Sequence, residues 1–171
     1  ELLALAHERN ADRLTVRGMV RNPPAGGDLG WLTAVVLAFD SAGNMYVSDT
    51  FNYRIRKISS SGTITTIAGN GKDEYSGDGG AATNASIGTP KALHFDSSAN
   101  ALIFGDQDRR VRQIDLTSGT ISTIAGSGSA GFSGDGGSAT NARLFAPIGA
   151  IRNAAGDLVI VEAGGDKIRK V

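Results

Sequence analysis

From Val35 onward the chain breaks into short apolar runs separated by polar turn residues. In the first stretch the runs are Val35–Phe39, Met45–Ser48, Arg54–Ile58 and Thr63–Ala68, four to six residues each, rich in Val, Ile, Thr, Phe and Tyr. Branched and aromatic residues bounded by turn formers predict β-strands, and no long window carries apolar residues at helical spacing. Ser41-Ala42-Gly43-Asn44 reads as a hairpin turn with Gly43 in the left-handed region. Gly156 stands at the same place further on, whereas Ala99 replaces it in between, so the middle turn must be strained or of another type. Within Arg54–Ile58 the isoleucines differ in parity, and the pattern does not assign the face that carries the charges.

The runs belong to an internal repeat. Gly62–Pro90 (GTITTIAGNGKDEYSGDGGAATNASIGTP) returns as Gly119–Pro147 (GTISTIAGSGSAGFSGDGGSATNARLFAP) at an offset of 57 with no gap. Leu37–Ile58, Leu93–Ile114 and Ala150–Val171 repeat more loosely. Four short strands per unit of roughly 40–50 residues is the sequence signature of a propeller blade. The extra length here lies in Gly69–Pro90 and its copy Gly126–Pro147. The expected architecture is all-β: a partial β-propeller of four-stranded antiparallel blades. Its units are residues 32–90, 91–147 and a truncated 148–171, preceded by a non-repeating segment 1–31. In that segment Leu2–Asn10 suits a short helix, Leu14–Arg21 alternates like a strand, and Trp31 suits a cap on the first blade.

Asp40–Lys57, which runs Asp-x-x-Gly-Asn-x-Tyr-Val-x-Asp-Thr-x-Asn-x-Arg-Ile-Arg-Lys, resembles an NHL repeat. The Ile-Ala-Gly…Ser-Gly-Asp-Gly-Gly-x-Ala-Thr-x-Ala run resembles the long blade-to-blade linker of many NHL proteins. The resemblance covers about residues 35–171. It implies consecutive four-stranded blades of the kind that bind protein, peptide, glycan or RNA, or that serve as ectodomains and sensor domains. The usual Pro-x-Gly ahead of the first strand is kept at Pro147-Ile148-Gly149, only as Pro90 in the second unit, and not at all at Ala34-Val35-Val36. Residues 13–43 are also similar to a small immunoglobulin-like sandwich family named for a Phe-x-Leu-Tyr-Asp motif, of which Asp40 alone matches literally.

Composition narrows the function. Glycine is frequent, at 24 of 171 residues, as many tight turns require. Lys+Arg and Asp+Glu are both 17, so no broad basic field favours nucleic acid or anionic membranes. The absence of cysteine excludes a disulfide framework and zinc–thiolate sites. No apolar run has the length of a membrane span. The chain opens at Glu1 without a signal-peptide pattern, and a processed start agrees with an extracellular or periplasmic setting.

Three features hold candidate chemistry. Ser76–Gly80 and Ser133–Gly137 repeat Ser-Gly-Asp-Gly-Gly. With one carboxylate each (Asp78, Asp135), and Asp73 and Glu74 beside only the first, they suit a tight turn whose Asp bonds backbone N–H groups better than a calcium loop. Basic clusters recur on the third strand of each unit: Arg54, Arg56 and Lys57, then Arg109, Arg110 and Arg112, then Lys167, Arg169 and Lys170. They form either a partner-binding ring, with Arg54, Arg56, Lys57, Arg110, Arg112, Lys167 and Arg169 as its residues, or a solvated face with Arg54 paired to Asp49. Only two histidines exist, His7 and His94, too few for the several histidines of metal-dependent lyase propellers. His94 is expected to pack or to line the channel. Asn84-Ala85-Ser86 is an N-glycosylation sequon.

The expectation is a non-catalytic binding or scaffold module, without cofactor, whose propeller loops recognise a protein, peptide or glycan. A lyase- or lactonase-like enzyme and a sensor ectodomain are the alternatives. An open propeller would expose strand edges, so the chain is expected to be a fragment or to form a homo-oligomer through its blade edges.

Overall fold

The computed structural model describes residues 37–170; the features predicted within 1–36 lie outside the described residues. Three antiparallel sheets follow one another along the chain. The first is β1 (Leu37–Phe39), β2 (Met45–Asp49), β3 (Arg54–Ile58) and β4 (Ile64–Ala68), in that spatial order. The second is β5 (Leu93–Asp96), β6 (Ala101–Asp106), β7 (Arg110–Asp115) and β8 (Ile121–Ala125). The third holds β9 (Pro147–Arg152), β10 (Leu158–Glu162) and β11 (Lys167–Lys170). Each strand pairs with the one before it, which makes every sheet a simple meander, as expected for propeller blades.

The blades stack through two apolar cores. The first gathers Ala38, Tyr46, Ile55 and Ala68 of blade one against Leu93, Leu102, Phe104, Ile114 and Ile121 of blade two. The second gathers Ile103, Val111 and Ala125 of blade two against Ala150, Leu158 and Ile160 of blade three. Alternate residues of β6 therefore serve opposite cores, and the strand is buried along its whole length. That explains why Ala101–Phe104 reads as a continuous apolar run rather than an alternating one. The linkers wedge into the same cores: Ala82, Ala85 and Ile87 enter the first, and Ala142 and Leu144 the second. Each linker includes one 3₁₀ turn, Ala82–Asn84 or Ala139–Asn141.

Register reveals two length differences that cancel in a gap-free alignment. Five residues (40–44) join Phe39 to its partner Met45, six (96–101) join Phe95 to Leu102, and five (153–157) join Arg152 to Leu158. The next connection has four residues (50–53) in blade one, three (107–109) in blade two and four (163–166) in blade three. The longer turn accounts for Ala99: Gly43 and Gly156 lie at φ 79° and 90°, whereas in blade two Asn100 takes the left-handed conformation at φ 47°. The turn is of another type, one residue longer, with asparagine where it tolerates positive φ.

Near the centre the inner strands are tied by direct hydrogen bonds. The Ala92 N–H donates to the Ile148 carbonyl (3.0 Å) and the Lys91 N–H to that of Gly105 (2.9 Å). The Ser48 hydroxyl donates to the Lys91 carbonyl (2.7 Å). Gly105 occupies the place in β6 that Ser48 holds in β2, and there the backbone of β9 comes so close that a Cβ would strike the Ile148 carbonyl and lie 2.6 Å from the Pro147 oxygen. Backbone cannot yield as a side-chain tip can. Gly105→Ala is therefore expected to cost about 1–3 kcal/mol or more, measured by urea unfolding. Gly43→Ala, with open space around it but φ 79°, should cost about 1–2 kcal/mol from backbone strain alone.

Candidate functional site

The third strand of every blade carries alternating cations, and in blades two and three one of them, Arg112 or Arg169, reaches back into the linker that precedes the blade. Arg112 lies on β7 opposite Phe104, and its side chain is fully buried. Its Nε and Nη2 both donate to Asp78 Oδ1 (3.1 and 2.7 Å). Nη2 also donates to the Ser76 carbonyl (2.9 Å), and Nη1 to the Ser86 carbonyl (2.9 Å) and to Asp106 Oδ2 (3.4 Å). Five donors make five hydrogen bonds to four acceptor atoms, the full donor capacity of a guanidinium. Asp78 further accepts the Thr123 N–H (2.9 Å) and the Tyr75 hydroxyl (2.8 Å). Asp106 accepts the Gly88 N–H (3.1 Å).

One blade later the arrangement repeats. Arg169 Nε and Nη2 donate to Asp135, Nη2 to the Ser133 carbonyl (3.2 Å), and Nη1 to the Arg143 carbonyl (2.9 Å) and Glu162 Oε1 (3.3 Å). Glu162 accepts the Phe145 N–H (3.0 Å), as Asp106 accepts that of Gly88. The Ser-Gly-Asp-Gly-Gly turn is thus a blade-to-blade latch tied by an arginine of the following blade, and the backbone N–H that Asp78 accepts is that of Thr123 on β8 rather than one of its own turn. Sequence reasoning treated the basic clusters and the aspartate turns separately. The signal that joins them is that Arg112 and Arg169 share the 57-residue offset of Asp78 and Asp135.

The remaining predicted cations divide by role. Arg54 bonds the carbonyls of Asn52 (3.0 Å) and Asn70 (3.2 Å), and Arg110 those of Asp108 and Ser127 (3.1 Å each), so both clamp the start of a linker. The predicted pairing of Arg54 with Asp49 is corrected: the ion pair is Arg56–Asp49, at 3.7 Å. Arg54 lies directly opposite Asp49 in the β2–β3 register, and the clamp draws its guanidinium away to Asn52 and Asn70. The Lys57 ammonium lies over the Tyr46 ring at 5.8 Å and that of Lys167 over the Phe132 ring at 4.1 Å. Arg109 reaches the Gly128 carbonyl at 3.5 Å, and Lys170 pairs with Asp157 at 2.8 Å.

Aromatic residues that the sequence reading passed over collect at the same end of the blades. The Tyr75 ring lies against Arg110 at 3.7 Å, and Phe132, its copy 57 residues on, stands beside Lys167. Phe132 and Phe145 meet edge to face at 5.6 Å and rest on the Gly164–Gly165 turn, yet remain 41% and 44% exposed.

His94 is half-buried opposite Ile103. In the sequon Ser86 is buried, its hydroxyl accepting from Asn70, while Asn84 is exposed. Among the described residues no three His, Cys, Asp or Glu side chains stand together as a metal site. Among them too, no helix is long and apolar enough to cross a membrane.

Comparison with known proteins places this geometry. A structural-genomics protein of unknown function from Bacteroides thetaiotaomicron superposes with a TM-score of 0.68 at 23% identity, over 78% of this chain and 34% of its own. An auxiliary nutrient binding protein from the same organism gives 0.64 at 18%, over 78% and 36%. The fold is that of a β-propeller. A streptogramin B lyase superposes less well, with a TM-score of 0.46 at 15% identity, over 80% and 39%. The chain spans about a third of the length of the two Bacteroides structures. No protein-family model matches it, and no curated protein does.

The latch sets the response to acid. Burial pushes the Asp78 carboxyl up, but its hydrogen bonds with Thr123 and Tyr75 and the charge of Arg112 outweigh burial and hold it below the ordinary 3.8. Burial raises Asp106 above that value despite Arg112. The contribution of Asp78 is therefore complete above 3.8 and lost as pH falls through its lower folded pKa. Asp106 acts oppositely: its contribution is present below 3.8 and lost as pH rises through its raised folded pKa. In urea midpoints compared between neutral and acid pH, Asp78→Asn should flatten the acid loss of stability and Asp106→Asn should steepen it. At neutral pH, Arg112→Ala leaves Asp106 buried and uncompensated and should cost about 3–5 kcal/mol. Calorimetric or urea unfolding checks that figure.

Proposed function

We propose that this chain belongs to an NHL-type β-propeller that binds a protein, peptide or glycan at the end of the blades where the linkers cross, and that it acts as a binding module rather than as an enzyme. The observation that carries the proposal is the Phe132–Phe145 pair beside Lys167. Two rings seated on a glycine turn, each nearly half exposed, are an adjoining apolar surface left in water next to a cation. Rigid aromatic area beside a positive charge is the composition of interface hot spots. Tyr75 offers a third ring, at the place equivalent to Phe132 one blade earlier.

The charged groups divide in a way that supports the same reading. Arg112, Asp106, Asp78 and their copies are engaged in joining blades, whereas Arg109 and Lys167 are exposed and available to an acidic group of a partner. The scaffold suits ligand capture: one protein of the same fold is described as an auxiliary nutrient binding protein.

The test uses the fluorescently labelled chain on peptide and glycan arrays. We expect discrete hits, and we expect the double substitution Phe132→Ala, Phe145→Ala to weaken them about tenfold or more, as loss of a hot-spot pair does. The melting temperature should fall only modestly, because each ring is already nearly half exposed. Hits that survive the double substitution undiminished, or an array without hits, would sink the proposal.

A further inference from the structure

Blade one carries the receiving half of a latch whose other half is not among the described residues. Arg56 lies opposite Val47 just as Arg112 lies opposite Phe104 and Arg169 opposite Ile160. Asp49 occupies the register position of Asp106 and Glu162, at the end of the neighbouring strand. Arg54, two residues before Arg56, is the linker clamp that Arg110 is in blade two. Every fixed element of the latch is therefore present. What differs is the guanidinium. Its Nη1 is 3.7 Å from Asp49, too long for a hydrogen bond, and its Nε is buried without a hydrogen-bond partner among the described residues. In both complete latches Nε is an atom that donates to the aspartate of the incoming turn, to Asp78 at 3.1 Å and to Asp135 at 2.9 Å.

We propose that Arg56 and Asp49 form a docking site for a glycine-flanked aspartate turn presented by another propeller blade packed on the β1–β4 sheet. This rests on the blade geometry and not on the ligand-binding function proposed above. Charge selects the occupant: an arginine with one distant carboxylate takes a second carboxylate, as Arg112 and Arg169 both do. Geometry narrows it to a linker. The complete latches also use two backbone carbonyls of the incoming segment, Ser76 and Ser86 or Ser133 and Arg143, which a free carboxylate lacks. The chain's own Ser-Gly-Asp-Gly-Gly turns are already held by Arg112 and Arg169. Ahead of blade one the sequence offers a single aspartate next to a glycine, Asp28, with Gly27 before it but Leu29 after it. It stands nine residues before Leu37, whereas Asp78 and Asp135 stand fifteen before Leu93 and Ala150, and no Ala-Thr-Asn stretch follows it.

The test extends the full chain by a copy of residues 37–92 placed immediately ahead of Leu37, so that the copied turn faces Arg56. Thermal unfolding of the extended chain is expected to show a drop in melting temperature when the copied aspartate is changed to Asn. That drop should match the one Asp78→Asn produces, and it should disappear in an Arg56→Lys background. A cooperatively folded extended chain that ignores the change would overturn the proposal. Should the extension not fold, the unaltered chain is titrated with a synthetic peptide of residues 69–90 while the Arg56 Nε–H resonance is followed, assigned by Arg56→Lys. A shift with this peptide and none with the same peptide carrying Asp78→Asn supports the docking site; no shift, or equal shifts, overturns it. Asp28→Asn in the unaltered chain is the competing case. A drop in melting temperature that Arg56→Lys abolishes would give the latch to the chain's own N-terminal segment and refute docking by another blade.

Discussion

A guanidinium taken wholly out of water has five N–H donors to satisfy, and Arg112 satisfies them only if three separated pieces of chain converge on it. The linker turn brings Asp78 and the Ser76 carbonyl, the end of the linker brings the Ser86 carbonyl, and the neighbouring strand brings Asp106. A buried charge short of partners is costly, whereas a fully bonded one fixes geometry. The latch therefore specifies how one blade sits on the last, which apolar packing alone leaves less sharply defined. Blade three repeats the solution at Arg169 with Glu162 in place of Asp106, and the longer side chain still reaches both the guanidinium and the Phe145 N–H.

Around that constraint the packing follows from size. The linker contributes alanines where it slips between sheets, Ala82 and Ala85 at the first junction and Ala142 at the second, and one larger residue, Ile87 or Leu144, to fill the remaining space. The middle blade is apolar on both faces because each face meets a neighbour. Near the centre the strands come together so closely that Gly105 must have no side chain, while Ser48, at the same place one blade earlier, uses its hydroxyl to bond the passing backbone.

The same architecture shapes the candidate binding surface. Once the latch has turned each linker across the end of the blades, its aromatic residue is left on the outside beside the cation of the following strand: Tyr75 with Arg110, Phe132 with Lys167. Joining blades and presenting an aromatic rim are thus two consequences of one linker path. The rim differs between junctions, since Phe145 joins Phe132 at the second, where the first has only Gly88. Variation of this kind on a constant frame is how loops on a rigid scaffold acquire different partners.

The repeat and the turn chemistry of the chain were enough to determine the strands, the blade meander and the all-β class. Strand placement is a local matter of branched residues and glycines, and the 57-residue offset shows that the same unit is built again. Even the odd turn at Ala99 announced itself by a missing glycine, although only pairing showed the extra residue and the left-handed Asn100 that resolve it. Tertiary structure decided the rest. Asp78 and Arg112 are 34 residues apart, and nothing local says that they meet. Arg54 and Arg56 look alike in sequence, yet one clamps a linker and the other pairs with Asp49. Which cations are buried, which aromatics remain outside and which carboxylate each arginine takes depend on how separate blades stack, and that is a property of distance in space that no period along the chain encodes.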